Sequence, residues 1–138
     1  MESLKSYLTF NNGQKVFIVI KPGFLNICDQ VISRLNESKW EVDRTIVKKL
    51  TLDEAKQLYK VHKKESFYED LCKYMSSDIS RAFIIKKVGR HVDEPFEVVA
   101  KIKDEIRAEF GESDMRNAMH SSDSYENMLH EAGIYFNL

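Results

Sequence analysis

A nearly continuous apolar run, residues 15–21 (KVFIVIK), constrains the fold of this chain more than any other stretch. A turn signal over residues 11–14 (NNGQ) precedes the run, and Pro22-Gly23 follows it. Half-exposed strands alternate apolar with polar residues, whereas strands buried on both faces carry unbroken β-branched and aromatic runs. The run therefore predicts a central strand of a sheet that other elements cover on both faces.

The periodicity of the sequence after Pro22 predicts the elements that surround this strand. Residues 24–38 place apolar side chains at helical spacing, while residues 40–50 alternate and predict a strand, with Arg44 and Lys48 as interruptions. Thr51 and Glu54 have the spacing of a capping box, which starts a short helix. The later predicted elements are a helix from Ser66, a strand over 79–85, a helix from Pro95 to about Phe110, a short strand over 116–120, a helix over 124–130 and an apolar closing segment over 134–136.

The order of these predicted elements indicates the fold class. Helices alternate with strands, and one strand is buried on both faces, which is typical of α+β proteins of ferredoxin-like type. We therefore expect a ferredoxin-like sandwich, in which helices pack on a four-stranded antiparallel sheet. The 138 residues suit one domain over residues 1–138, with residues 1–14 as a polar N-terminal extension.

Charge and cysteine usage narrow the class of protein. The formal net charge of −1 gives no argument for a nucleic-acid or membrane partner, and no apolar run is long enough to cross a bilayer. Residues 1–7 lack the pattern of a signal peptide. Cys28 and Cys72 lie far apart on apolar faces of predicted helices, so we expect buried free thiols and a reducing, cytoplasmic compartment.

A basic patch, Lys86, Lys87, Arg90 and His91, is most simply interpreted as a solvated loop or strand edge. A nucleic-acid-binding domain of the same fold would need aromatic residues exposed on the face of its sheet. The apolar strand patterns offer no such residues, so we expect no nucleic-acid partner.

One histidine, His120, lies in a stretch that combines apolar residues with hydroxyls and carboxylates, residues 116–124 (RNAMHSSDS). A histidine between a short strand and a capped helix is held rigidly and can still face a cleft. Neutral imidazole is a nucleophile near pH 7, which makes this residue a candidate nucleophile or general base. By contrast, His62, His91 and His130 have no partners at metal-ligand spacing and are expected at the surface.

Three separated motifs together resemble the nucleoside diphosphate kinases. The first is Val19-Ile20-Lys21-Pro22, and the second is Tyr59 followed by Phe67-Tyr68. The third is Ile106-Arg107, which lies thirteen residues before His120, followed by residues 117–124 and Glu131. The resemblance covers essentially residues 15–136, and residues 105–124 are especially similar to the divergent kinase modules of cilia-associated members.

The resemblance implies a reaction in two steps. A nucleoside triphosphate gives its γ-phosphate to a histidine, and a nucleoside diphosphate then collects it, in a ping-pong mechanism. Mg²⁺ would be the cofactor, carried by the nucleotide phosphates without a dedicated protein site. Members of the family form dimers and rings of dimers, which implies that this chain forms a homo-oligomer. A dimer is favoured over a hexamer.

The resemblance also implies catalytic roles for five residues. His120 matches the phosphorylated histidine, and Glu131 matches the carboxylate that orients it. Ser122 is their expected hydroxyl neighbour, Tyr59 matches a tyrosine near the histidine, and Lys21 matches a phosphate ligand.

The implied nucleotide-binding residues are Lys21, Phe67, Arg107 and Asn117. Lys21, Arg107 and Asn117 match ligands of the phosphates and ribose. Phe67 matches the aromatic residue on which the base stacks, and stacking tolerates every base because each base has a π-face.

This chain departs from the family pattern between the third strand and Arg107. The family usually carries there a phosphate-binding arginine, a threonine and a long protruding loop, whereas only residues 89–105 are available here. Arg90 or Lys101 could replace the arginine. The alternative function is therefore a catalytically weak or inactive module of the same fold that binds nucleotides or a protein partner.

Overall fold

The structure is a computed structural model that describes residues 3–9 and 13–136. Its strands are β1 (Lys15–Ile20), β2 (Trp40–Lys48), β3 (Ser80–Lys87) and β4 (Met119–Ser121). Its helices are α1 (Leu4–Tyr7), α2 (Cys28–Glu37), α3 (Leu52–Leu58), α4 (Tyr68–Met75), α5 (Pro95–Phe110) and α6 (Tyr125–Phe136). Short 3-10 turns at Leu25–Ile27 and Lys60–His62 precede α2 and follow α3.

The strands form one antiparallel sheet in the order β2-β3-β1-β4. β1 therefore lies between β3 and β4, and all six of its residues are buried. Its successive side chains face opposite sides of the sheet, because Phe17 and Val19 join one apolar cluster while Ile18 and Ile20 join the other. The predicted central strand and the four-stranded antiparallel α+β sandwich are confirmed.

Helices cover both faces of the sheet. α2 and α5 pack on the face that carries Ile18, and α1, α3, α4 and α6 pack on the face that carries Phe17. Cys28 and Cys72 are buried free thiols in different clusters, as predicted. No helix in the described ranges is long and apolar enough to cross a membrane.

The N-terminal segment contributes to the core, although its polar composition predicted an extension. Leu4, Tyr7 and Leu8 are buried in the same apolar cluster as the inner face of α6. The Tyr7 hydroxyl donates to the Asp43 carboxylate, and the Lys15 ammonium donates to the Tyr7 carbonyl at 2.8 Å. Asn11 and Asn12, expected in the turn before β1, lie outside the described residues.

A β-bulge explains the broken alternation in β2. The register of β2 against β3 shifts between Val42 and Arg44, so one extra residue enters the strand there. A bulge moves the following side chains to the opposite face, which is why Arg44 falls where an apolar residue was expected. β2 ends at Lys48 rather than at residue 50, and the Lys48 ammonium donates to the Ile134 carbonyl at 2.8 Å.

The C-terminal apolar segment is part of α6, although the sequence predicted a helix that ended at His130. The helix continues to Phe136 because Ala132, Ile134 and Tyr135 fill the core at helical spacing. Gly133 lies beside Leu4 of α1.

Candidate active site

A cavity of about 480 Å³ lies beside the C-terminal end of β1 and the start of β4. Its size is in the range of small-molecule binding sites. Seven of the residues that the sequence singled out line it together: Lys21, Tyr59, Phe67, Arg107, Asn117, His120 and Glu131. They come from six segments of the chain, so the fold rather than local sequence brings them together.

His120 and Glu131 form a hydrogen-bonded pair in the cavity. The His120 Nε2 atom lies 2.7 Å from Glu131 Oε1, and the two side chains are 22% and 10% exposed. An ionised carboxylate only accepts hydrogen bonds, so Nε2 carries the hydrogen when the imidazole is neutral. The Nδ1 atom therefore keeps its lone pair, which is the arrangement that a nucleophilic histidine requires.

A tight turn before β4 sets the direction of His120. Ala118 has a φ of +80°, and the Met119 amide donates to the Asn117 carbonyl at 3.0 Å. This is the geometry of a γ-turn, which is rare because it is strained. It breaks the extended run predicted over residues 116–120, so β4 begins only at Met119, and His120 pairs with Val19 of β1.

Ser122 does not line the cavity. Its hydroxyl donates to the Phe17 carbonyl at 3.2 Å, and the Phe17 amide donates to the same hydroxyl at 3.3 Å. The side chain is fully buried against β1. The Ser122 hydroxyl therefore links the end of β4 to the central strand by hydrogen bonds. It does not lie beside Glu131, where it was expected.

Two cationic side chains from different elements meet in the cavity. Lys21 is only 4% exposed, and burial, followed by repulsion from Arg107 and Lys103, lowers the pKa of its ammonium to about 7. Arg107 donates from Nε to the Met119 carbonyl at 2.9 Å, and burial lowers its pKa. Positive charges held together away from water attract an anionic ligand.

Lys103 is a third cation near this pair, and the sequence motifs did not predict it. Its charge lowers the pKa of Lys21, and its own pKa is lowered by burial and by Arg107. Residues four apart lie on one face of a helix, so the spacing of Lys103 and Arg107 in α5 could have identified it. Lys103 itself does not line the cavity, and neither do Arg90 and Lys101, the two candidates to replace the family's arginine.

Two polar atoms in the cavity lack partners among the described residues. They are the Tyr59 hydroxyl and the Asn117 Oδ1 atom, both inaccessible to solvent. Burial raises the pKa of Tyr59 well above its usual value, so its hydroxyl stays a neutral donor. The Tyr59 ring lies edge-on to His120, with 6.4 Å between centroids. Buried polar atoms are normally hydrogen-bonded, so these two indicate where a polar ligand would bind.

The mouth of the cavity is apolar and exposed. Phe67 directly precedes α4, which begins two residues later than predicted, and the Phe67 side chain is 43% exposed. The ring of His62 lies 5.7 Å from that of Phe67. His62 and His130 were expected simply at the surface, but both line this cavity, and the His130 Nε2 atom lies 2.7 Å from the Gln57 carbonyl.

No group of three or more histidine, cysteine, aspartate or glutamate side chains in the described ranges could hold a metal ion. Asp123 lines the cavity, where its carboxylate accepts from the Asn127 amide at 2.6 Å. Mg²⁺ often binds through one or two carboxylates together with substrate phosphates. Asp123 would therefore be a suitable ligand for a Mg²⁺ ion that is bound to substrate phosphates.

Comparison with known proteins agrees with this site. The sequence model of the family described as nucleoside diphosphate kinase matches residues 14–138. The nucleoside diphosphate kinase of Kosmotoga olearia is 31% identical over 130 residues, which cover 89% of this chain and 88% of that protein. A thioredoxin domain-containing protein 3 homolog of Heliocidaris crassispina is 32% identical over 128 residues, which cover 83% of this chain and 15% of that protein.

Solved structures give the same assignment. The Aquifex aeolicus nucleoside diphosphate kinase aligns with a TM-score of 0.70 at 25% identity, covering 87% of this chain and 92% of that chain. A nucleoside diphosphate kinase family protein from Babesia bovis has the same fold, with a TM-score of 0.74 at 22% identity over 88% of this chain and 87% of that chain. This chain belongs to the nucleoside diphosphate kinase family of phosphate-transferring enzymes.

Proposed function

We propose that this protein transfers the γ-phosphate of a nucleoside triphosphate to a nucleoside diphosphate through phosphorylated His120. The hydrogen bond of 2.7 Å between His120 Nε2 and Glu131 is the observation that carries the proposal, because it leaves Nδ1 free inside a cationic cavity. Phosphoryl transfer needs little covalent chemistry from the protein beyond a positioned nucleophile and neutralisation of charge.

The two half-reactions balance without an additional proton. In the first, the lone pair of His120 Nδ1 forms a bond to the γ-phosphorus, and the bond to the β–γ bridging oxygen breaks. Its electron pair leaves with the nucleoside diphosphate, and the positive charge on the ring is stabilised by the Glu131 carboxylate. In the second, a terminal oxygen of the acceptor diphosphate attacks the same phosphorus, and Nδ1 leaves with its electrons.

Two cations and one phenol bind the phosphates in this proposal. Lys21 and Arg107 line the cavity and supply positive charge that the departing phosphate requires. Lys103 lies outside the lining and adds its charge from nearby, in place of the direct contact for which Arg90 and Lys101 were considered. The Tyr59 hydroxyl, buried and without a partner among the described residues, donates to a phosphate oxygen. Bound Mg²⁺ would neutralise further negative charge on the phosphates, and Asp123 is a carboxylate in the cavity lining that would hold it.

The nucleoside part binds toward the mouth of the cavity. The base stacks on the exposed ring of Phe67. The Asn117 Oδ1 atom, which has no hydrogen-bond partner among the described residues, accepts from a ribose hydroxyl. Stacking on an exposed ring costs little reorganisation, because the side chain need not leave a packed core.

A homodimer is the assembly that the surface favours. β2 forms one edge of the sheet, and Val42 and Val47 on it are 37% and 51% exposed. An exposed edge strand offers unpaired backbone groups to a second copy. Light scattering should give the mass of two chains, whereas the mass of six would contradict this part. The buried free thiols of Cys28 and Cys72 are consistent with a reducing, cytoplasmic location.

Labelling followed by transfer tests the proposed reaction. Incubation with γ-labelled ATP should leave acid-labile label on the protein, and addition of dTDP should release it as dTTP. His120→Ala should abolish labelling, while His91→Ala, which alters a histidine outside the cavity, should retain it. Label that persists in His120→Ala would refute the assignment. Nucleotide binding without label or dTTP would favour a binding module instead.

A further inference from the structure

Asp114 places an unpaired carboxylate at the cavity. The residue is exposed, lies in the loop between α5 and β4, and lines the cavity that also holds Phe67. Its backbone carbonyl accepts from the Asn117 side-chain amide at 2.8 Å, which fixes the loop at this point. No described residue donates a hydrogen bond to the carboxylate, so it is available to a ligand.

Asp114 lies next to the residue that is proposed to bind the ribose. Its backbone carbonyl accepts from the side chain of Asn117, whose Oδ1 atom is assigned to a ribose hydroxyl, so Asp114 is placed on the nucleoside side of the site. A carboxylate among the phosphates would repel them, whereas a carboxylate beside the base meets only its polar edge.

The chemistry of the bases then identifies the preferred ligand. A base that stacks on Phe67 uses its face for the ring and leaves its edge for hydrogen bonds. A carboxylate is an acceptor with two oxygens, and it is best satisfied by two adjacent N–H donors. Guanine has such a pair, at N1 and the exocyclic N2. Adenine and cytosine place a lone pair beside their amino group, and uracil and thymine flank their N–H with two carbonyls.

We infer that Asp114 makes this cavity select guanine nucleotides over nucleotides with other bases. The inference rests on the proposed function, because it requires a nucleotide whose base lies at the Phe67 end. Asp114 acts as a specificity-determining residue that accepts from N1–H and N2–H of guanine. It replaces the broad base tolerance that stacking alone would give.

Calorimetric titration with GDP, IDP and ADP in the presence of Mg²⁺ tests this selection. IDP retains the N1–H donor and lacks the N2 amino group, so it separates the two hydrogen bonds. GDP should bind about tenfold or more tightly than ADP, the size expected for hydrogen bonds to a charged group, with IDP between them.

Asp114→Asn is the decisive variant, because it keeps the size of the side chain but directs an amide donor at the base. It should bring the GDP-to-ADP ratio to within about twofold. Asp29→Asn makes the same change at an exposed aspartate on α2 and should keep the wild-type ratio. Equal affinities in the wild type, or a preference for GDP that survives in Asp114→Asn, would overturn the inference. Failure of all three diphosphates to bind would overturn the proposed function itself.

Discussion

At the inner end of the cavity, charged side chains are hydrogen-bonded to other groups of the protein, whereas the mouth carries exposed apolar side chains. His120 is held by Glu131, Arg107 by the Met119 carbonyl, and Lys21 donates to the Met115 carbonyl at 3.4 Å. At the mouth, Phe67 is 43% exposed and Val61 is 73% exposed.

The difference separates two tasks of a phosphate-transferring site. The inner end must hold a nucleophile and charges within a fraction of an ångström, which requires side chains that are already hydrogen-bonded before the ligand arrives. The mouth must bind a flat base, which an exposed ring can do with little preparation. Changes to His120 or its partner should therefore affect the rate of transfer, changes to the cations should affect the affinity for phosphates, and changes at the mouth should affect the affinity for the nucleoside.

The largest expected effect comes from Glu131→Gln. The amide keeps the volume of the side chain but carries no charge to stabilise the phosphorylated ring, and it can also turn its donor toward Nε2. The rate of phosphohistidine formation in a single turnover at saturating ATP should fall about 100-fold. Glu126→Gln, an exposed change on the same helix, is the control, and a similar rate in both variants would show that the Glu131 charge does not contribute.

Lys103→Met should have the next largest effect and tests the third cation. Loss of a positive charge that acts on Lys21 in the cavity should weaken binding of the polyanionic ATP about 30-fold. Lys101→Met removes the same charge at an exposed position of α5, whereas Lys103 is half-buried, and it should change the affinity less than about twofold. A stronger effect in Lys101→Met would show that Lys101, rather than Lys103, acts on the phosphates.

Phe67→Ala tests the mouth. Loss of stacking should weaken ADP binding about tenfold, while affinity for inorganic tripolyphosphate and the rate at saturating nucleotide stay unchanged. Fluorescence or calorimetric titration of both ligands measures the comparison directly. An equal loss for tripolyphosphate would mean that Phe67 supports the phosphate end as well.

The smallest effect is a dependence on pH that arises from Lys21. Its pKa of about 7 means that the free protein has lost much of this charge just above neutrality. A bound phosphate favours the charged form, so binding takes up a proton and weakens as pH rises. ADP affinity should fall about fivefold between about pH 7.5 and 8.5, a loss that Lys21→Met would remove. Titrations in buffers of different ionisation enthalpy would count the proton, and zero uptake in the wild type would contradict the assignment.

Local patterns were sufficient for the elements and for much of the site. The apolar run gave the central strand, and the capping box of Thr51 and Glu54 is present, with the Glu54 amide donating to the Thr51 hydroxyl at 3.1 Å. His120, Glu131 and Arg107 were identified by a motif whose spacing the family shares, and they line one cavity.

What the sequence did not predict depends on contacts between distant residues. The Ser122 hydroxyl points toward Phe17 because it hydrogen-bonds to that residue, which is 105 positions away in the sequence. No local sequence pattern indicates a contact over that separation. The positive φ of Ala118 is also not signalled, because the residue is neither glycine nor asparagine. Lys103 is not signalled by the family motif, which has an arginine at this part of the site, and only its place on the same face of α5 as Arg107 indicates it.

The buried N-terminal residues determine where this kinase can be shortened. The family match begins at residue 14, yet Leu4 and Leu8 fill the core beside the helix that carries Glu131. Tyr7 lies between the charged groups of Lys15 and Arg44, at 3.5 and 3.8 Å from its ring centre. A protein trimmed to the homologous region would expose an apolar strip of α6 to water and free the bulged strand at the sheet edge. The shortest chain that keeps this core complete therefore begins before residue 14, where the family match begins.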